Sequence, residues 1–175
     1  MGASGGGVRA DLAGVGPFGV NTADGAEHSG FSFAGKPLPN IPYGDYAPVE
    51  AGKMTLAERH RLDRRGSTTA AIAAARIPVE LSGARVLLAG SGEDDIWPSY
   101  EMTEEIAARM KQAGKAALVE TLLFPKAGHF VCGTGSSVSR PVTGSVTPGG
   151  GDANATGRAA GVVWDRTLAF FQAAL

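Results

Sequence analysis

The chain has 175 residues, one domain's worth. Its 16 Lys+Arg against 17 Asp+Glu leave a formal net charge of −1, which supplies no basic excess for a nucleic-acid groove or a polybasic membrane surface. Apolar residues at 43% can form a core, and the single cysteine, Cys132, excludes an internal disulfide framework and any Cys-x-x-Cys metal site.

No apolar stretch approaches the ~18 residues of a membrane helix. Met1 to Gly19 lacks the charged start and greasy run of a secretion signal. The chain therefore reads as soluble, from a reducing compartment, with a cytoplasmic location expected. Residues 1–7 are almost all small and read as a flexible glycine-rich leader. Val8, Ala10, Leu12 and Val15 supply one short strand, broken by Gly14, Gly16 and Pro17. Pro37, Pro39 and Pro42, close together between Gly35 and Tyr43, predict an extended surface excursion with no regular element. Residues 54–76 read as helical. Leu56, His60 and Asp63 mark a mixed face, and His60 among Arg59, Arg61, Arg64 and Arg65 is placed on a solvated surface; the competing reading is a cap that meets phosphates. Ser67 is the expected N-cap of a helix from Thr68 to Arg76, ended by Ile77-Pro78.

Residues 79–124 are the most regular. Ala84 to Gly90 is a short apolar run, as in a strand buried on both faces of a parallel sheet. Pro98 and Ser99 open a helix with Met102, Ile106 and Met110 on one face, closed by Gly114. Ala117 to Phe124 is the next strand, stopped by Pro125. Strand, helix, strand with short links is a βαβ unit. A loop of more than twenty residues through Gly151 follows, of the length that is usually functional or disordered. In the last helix Trp164, Leu168, Phe171 and Leu175 form a stripe that needs a sheet to cover.

Two loops carry the chemistry, each just beyond the carboxyl end of a predicted parallel strand, where ligands and catalytic groups of open α/β sheets gather. The first is Ser91-Gly92-Glu93-Asp94-Asp95-Ile96-Trp97-Pro98-Ser99; the second is Phe124-Pro125-Lys126-Ala127-Gly128-His129. An acid and then a histidine on consecutive strands is the back half of an α/β-hydrolase triad, in which the acid orients the imidazole and stabilises the imidazolium. From spacing alone, the favoured reading is solvated loop carboxylates or helix N-terminal charges and a surface histidine. Gly90-Ser91-Gly92 is no dinucleotide turn, because Asp95 stands where the third glycine belongs. His28, His60 and His129 lack metal-ligand spacing. Cys132 follows His129 by three residues and reads as a small half-buried side chain, with a thiol near the site as the alternative. Trp97 is expected to pack over the acid loop.

Ile77-Pro78-Val79-Glu80, Val86-Leu87-Leu88, the acid loop, the histidine loop, Gly35-Lys36-Pro37-Leu38-Pro39 and Gly149-Gly150-Gly151 together resemble one family. It is the C-terminal catalytic domain of the acyl-CoA thioester hydrolases and bile acid-CoA:amino acid N-acyltransferases, α/β-hydrolases near the dienelactone hydrolases. The resemblance runs from about Val8 to Leu175. It implies an α/β fold with a three-layer, mostly parallel sheet, an incomplete α/β-hydrolase fold comprising its C-terminal part over 8–175, with a loop and helix excursion at 21–76. It implies Asp95 as the orienting acid, His129 as general base, no metal or organic cofactor, and an acyl-CoA or related ester substrate, with no nucleic-acid or membrane partner.

The family's nucleophile sits in a G-x-S-x-G elbow between a strand and a helix. Gly2-Ala3-Ser4-Gly5-Gly6 fits that pattern and makes Ser4 the candidate, yet neither flank is present around it. Two readings stay open: a serine hydrolase of acyl-CoA thioesters, or a truncated, inactive remnant that binds or interacts. A sheet short of its neighbours would also leave an exposed edge through which copies of the chain associate.

Overall fold

The computed structural model describes residues 19–21, 27–29, 32–42, 44, 47–132 and 149–173. Ser4, the residues Val8, Ala10, Leu12 and Val15 of the expected short strand, and most of the long loop lie outside them. In chain order the elements are β1 (Gly19–Asn21), β2 (Glu27–Ser29), β3 (Ser32–Phe33), β4 (Lys36–Pro37), α1 (Ala47–Glu50), α2 (Leu56–Gly66), α3 (Thr69–Ala75), β5 (Val86–Ser91), α4 (Ser99–Gln112), β6 (Val119–Phe124) and α5 (Ala153–Gln172).

The first four strands are small antiparallel pairs, β1 with β2 and β3 with β4. The second pair corrects the expectation of no regular element after Gly35. Ala34 and Gly35 both take left-handed φ, 49° and 76°, the backbone twist that lets a two-residue turn close a hairpin. A capping box starts α2: Thr55 Oγ1 accepts the Glu58 N–H at 3.1 Å and the Glu58 carboxylate accepts the Thr55 N–H at 2.8 Å. The helical stretch 54–76 is two helices. Ser67 is not the N-cap of the second but the end of the first, its hydroxyl donating to the Asp63 carbonyl at 2.9 Å. Thr68 takes the N-cap, accepting the Ala71 N–H at 3.1 Å.

β5 and β6 pair in parallel, Val86 opposite Val119 through Ser91 opposite Phe124. Alternation assigns their faces. Val86, Leu88 and Val119 meet Ile106 and Met110 of α4, three of these side chains being fully buried: Leu88, Ile106 and Met110. Each such burial contributes ~1.5–3 kcal/mol. Gly90 lies on this face, and a Cβ there would stand 2.6 Å from the Ser99 carbonyl oxygen, so glycine lets the start of α4 lie directly on the strand. On the opposite face Ala89, Leu122 and Phe124 meet Ala159 and Val163 of α5. Helix, sheet and helix make three layers, and the fold is α/β.

The orientation of α5 differs from expectation. Trp164, Leu168 and Phe171 do not cover the sheet; they are 37%, 45% and 64% exposed. The buried face is Thr156, Ala159, Ala160 and Val163, whose small side chains let the helix approach closely. Arg166 fixes the rotation from one side, its Nε donating to the Glu120 carboxylate at 2.8 Å. Among the described residues no helix is long and apolar enough to cross a membrane.

Candidate active site

Because Ser91 and Phe124 are register partners, the loops after β5 and β6 leave the sheet side by side. Backbone bonds knit them at once: the Gly92 N–H donates to the Phe124 carbonyl and the Glu93 N–H to the Ala127 carbonyl, both at 3.0 Å. The acid loop then turns around the Asp94 side chain. Asp94 Oδ1 accepts the N–H groups of Ile96 and Trp97, each at 2.9 Å, and Oδ2 accepts the Ser99 hydroxyl at 2.7 Å. Such Asx turns are the usual work of an aspartate in a tight loop.

His129 Nδ1 stands 3.0 Å from Asp94 Oδ1 and 3.2 Å from Oδ2. The two side chains are only 8% and 3% exposed. An ionised carboxylate can only accept, so Nδ1 carries the proton and the lone pair of the neutral ring lies on Nε2. A base with its second nitrogen fixed by a buried acid is the arrangement that takes and returns a proton during acyl transfer.

The long loop returns as a glycine clasp. The Gly149 carbonyl accepts the His129 N–H at 2.8 Å and the Asp95 N–H at 3.4 Å, so one oxygen ties both loops. Gly149, Gly150 and Gly151 all have left-handed φ, 84°, 70° and 72°, and a Cβ on Gly150 would lie 2.1 Å from the Glu93 carbonyl oxygen. The backbone fits there only without side chains. Beyond it Asp152 caps α5, and buried Thr156 accepts the Gly128 N–H at 2.9 Å while donating to the Asp152 carbonyl at 2.8 Å. The glycine run reads in sequence only as a turn into the last helix; its signal is three consecutive glycines directly before an N-cap aspartate.

The acid that meets His129 is Asp94, not Asp95, which corrects the expected pairing. Within a turn, neighbouring side chains point to different sides, and Asp94 is the one turned inward to collect Ile96 and Trp97. Asp95 faces Gly150, where a Cβ would stand 3.0 Å from its Oδ2, and its carbonyl accepts the Ala57 N–H at 3.0 Å. Partial burial, then the negative charges of Asp94, Glu58 and Glu93, push the Asp95 carboxyl above its ordinary pKa.

Sequence reasoning also misplaced His60. It is buried rather than solvated, its ring stacked on Trp97 with centroids 4.3 Å apart and planes within 6°. Burial, helped by the Arg59 charge and opposed by Asp94, lowers its pKa to about 3. The Trp97 ring packs against His60 and the cluster of Ile41, Ala75 and Met102, and lines a cavity of about 130 Å³ together with Asp94, Ser99, Met102, Thr103 and His129, with Cys132 at its edge. Cys132 is exposed rather than half-buried. Among the described residues, no group of three or more His, Cys, Asp or Glu side chains is disposed to hold a metal ion. Across the rim, Lys126 and Glu93 pair at 2.9 Å, raising the Lys126 pKa; an exposed pair of this kind adds little stability.

No curated protein matches the chain. The family described as BAAT / acyl-CoA thioester hydrolase, C terminal, matches residues 47–175, which include both loops, the glycine clasp and every helix described above. The chain belongs to the BAAT / acyl-CoA thioester hydrolase C-terminal family.

Proposed function

We propose that this chain hydrolyses acyl-CoA thioesters or related carboxylic esters, with His129 as general base and Asp94 as its orienting acid. The observation that carries this reading is the buried Asp94–His129 pair, with Nδ1 engaged 3.0 Å from the carboxylate. A serine hydroxyl attacks the thioester carbonyl carbon while His129 Nε2 takes its proton. The tetrahedral intermediate collapses, the carbon–sulfur bond breaks, and the imidazolium returns the proton to the departing thiolate. Water then attacks the acyl-serine ester by the same route. The Asp94 carboxylate holds the imidazole in one tautomer and stabilises the imidazolium in both steps. Ser4, in its G-x-S-x-G setting, is the candidate nucleophile, and a serine there favours hydrolysis over transfer to an amino acid.

The test is steady-state hydrolysis of a panel of acyl-CoA esters by the full chain, read by thiol release. Turnover abolished by His129→Ala supports the reading. A folded sample with no turnover on any ester contradicts it and favours a binding remnant.

A further inference from the structure

We propose that Ser99, which lines the same cavity as Asp94 and His129, is a positioning residue for that pair, acting through the acid. The inference rests on the hydrolase reading for its catalytic meaning. Its geometry stands by itself. Ser99 is the first residue of α4, and its Oγ lies at a junction of three groups. The Ser91 N–H, at the end of β5, donates to it at 3.1 Å; Asp94 Oδ2 lies 2.7 Å away and the Ser91 carbonyl oxygen 3.4 Å away. A hydroxyl has one proton to give. The short contact to a carboxylate takes it, as charge-assisted O–H···O⁻ bonds are the shorter and stronger kind. Ser99 therefore accepts from the strand and donates to the acid.

That donation does what the backbone bonds leave undone. The Ile96 and Trp97 N–H groups both bind Oδ1. The carboxylate turns about a broad terminal torsion, and bonds on Oδ1 alone restrain it from one side. The Ser99 bond at Oδ2 restrains the same torsion from the other side, and that torsion decides which lone pairs meet His129 Nδ1 at 3.0 and 3.2 Å. The same geometry removes Ser99 as a nucleophile, because its proton is directed at Asp94.

The test reads the His129 Nδ1–H directly, by proton nuclear magnetic resonance of the full chain. A proton held between an imidazole and a buried carboxylate resonates far downfield and is protected from solvent exchange; its loss in His129→Gln assigns it. Wild type and Ser99→Thr, which keeps the hydroxyl, are expected to show it. Ser99→Ala is expected to lose it or move it upfield while circular dichroism shows the fold intact. In the turnover assay, Ser99→Ala is expected to lower kcat roughly ten-fold or more, with KM within about two-fold, the factor carried by one hydrogen bond to a charged group. If Ser99→Ala does not fold, Ser99→Cys, with its weaker donor, is read in the same way. An unchanged resonance in Ser99→Ala, or in Ser99→Cys where only that one folds, overturns the proposal, as does its absence from wild type. A wild-type protein without turnover but with the resonance sinks the hydrolase reading alone, and the Ser99 variants still decide the positioning role.

Discussion

Asp94 and Asp95 are adjacent in sequence and opposite in role: Asp94 Oδ1 lies 3.0 Å from His129 Nδ1, while Asp95 faces the glycine clasp. The inward carboxylate is surrounded by donors. Its neighbour has burial and three negative charges against it, which raise its pKa.

A raised carboxyl pKa means that the folded state disfavours the charge, so the penalty exists above that pKa and is relieved as pH falls through it. Asp95→Asn is therefore expected to raise the melting temperature at pH 7. The gain should fade as pH falls and the wild-type carboxyl protonates. Thermal melts of both proteins across that range check the sign.

Gly150→Ala is expected to destabilise the fold by at least ~2 kcal/mol, adding a left-handed alanine to a backbone clash. Its φ is 70°, and the new Cβ would lie 2.1 Å from the Glu93 carbonyl oxygen. Urea unfolding monitored by circular dichroism measures the loss. A change under about 0.5 kcal/mol, the range of ordinary surface substitutions, would show that the clasp tolerates a side chain.

His60 links the same region to pH. Its pKa falls from 6.5 to about 3 on burial against Trp97. With the folded value below the unfolded one, the contribution of neutral His60 is complete above pH 6.5 and is lost as pH falls toward 3. The slope is ~1.4 kcal/mol per pH unit. Between pH 7 and 5 the wild type should lose ~2 kcal/mol more stability than His60→Phe, which keeps a ring for the stack and does not titrate. Parallel pH profiles for the two proteins would contradict a buried neutral imidazole.

Much of this is legible in the sequence. The apolar run of β5, the Met102-Ile106-Met110 face of α4 and β6 identify the βαβ unit, and the loops after its strands contain the dyad. What was not legible depends on three-dimensional neighbours. Which of two adjacent aspartates turns inward is decided by the Ile96 and Trp97 N–H groups, not by residue type. Trp164, Leu168 and Phe171 form a more apolar stripe than Thr156, Ala159, Ala160 and Val163, but close helix–sheet approach selects the small face. His60 sits in a run of arginines that reads as solvated, and its stack on the Trp97 ring, 4.3 Å away, is a contact the sequence does not show. The clasp needs backbone angles that a glycine run permits without specifying.

The most direct measurement compares Asp94→Asn with Asp95→Asn in acyl-CoA hydrolysis. On the proposed mechanism Asp94→Asn removes the charge that would stabilise the imidazolium, and an amide nitrogen in place of Oδ2 would set a donor 3.2 Å from the Nδ1 donor. A loss in kcat of about 10³-fold or more is expected, as for the orienting acid of a serine triad. Asp95→Asn should stay within about three-fold of wild type, since that carboxylate makes no bond to His129 and its loss forfeits no transition-state charge. The reverse ranking, with Asp95→Asn inactive and Asp94→Asn near wild type, would contradict the assignment of Asp94 as the acid of the pair.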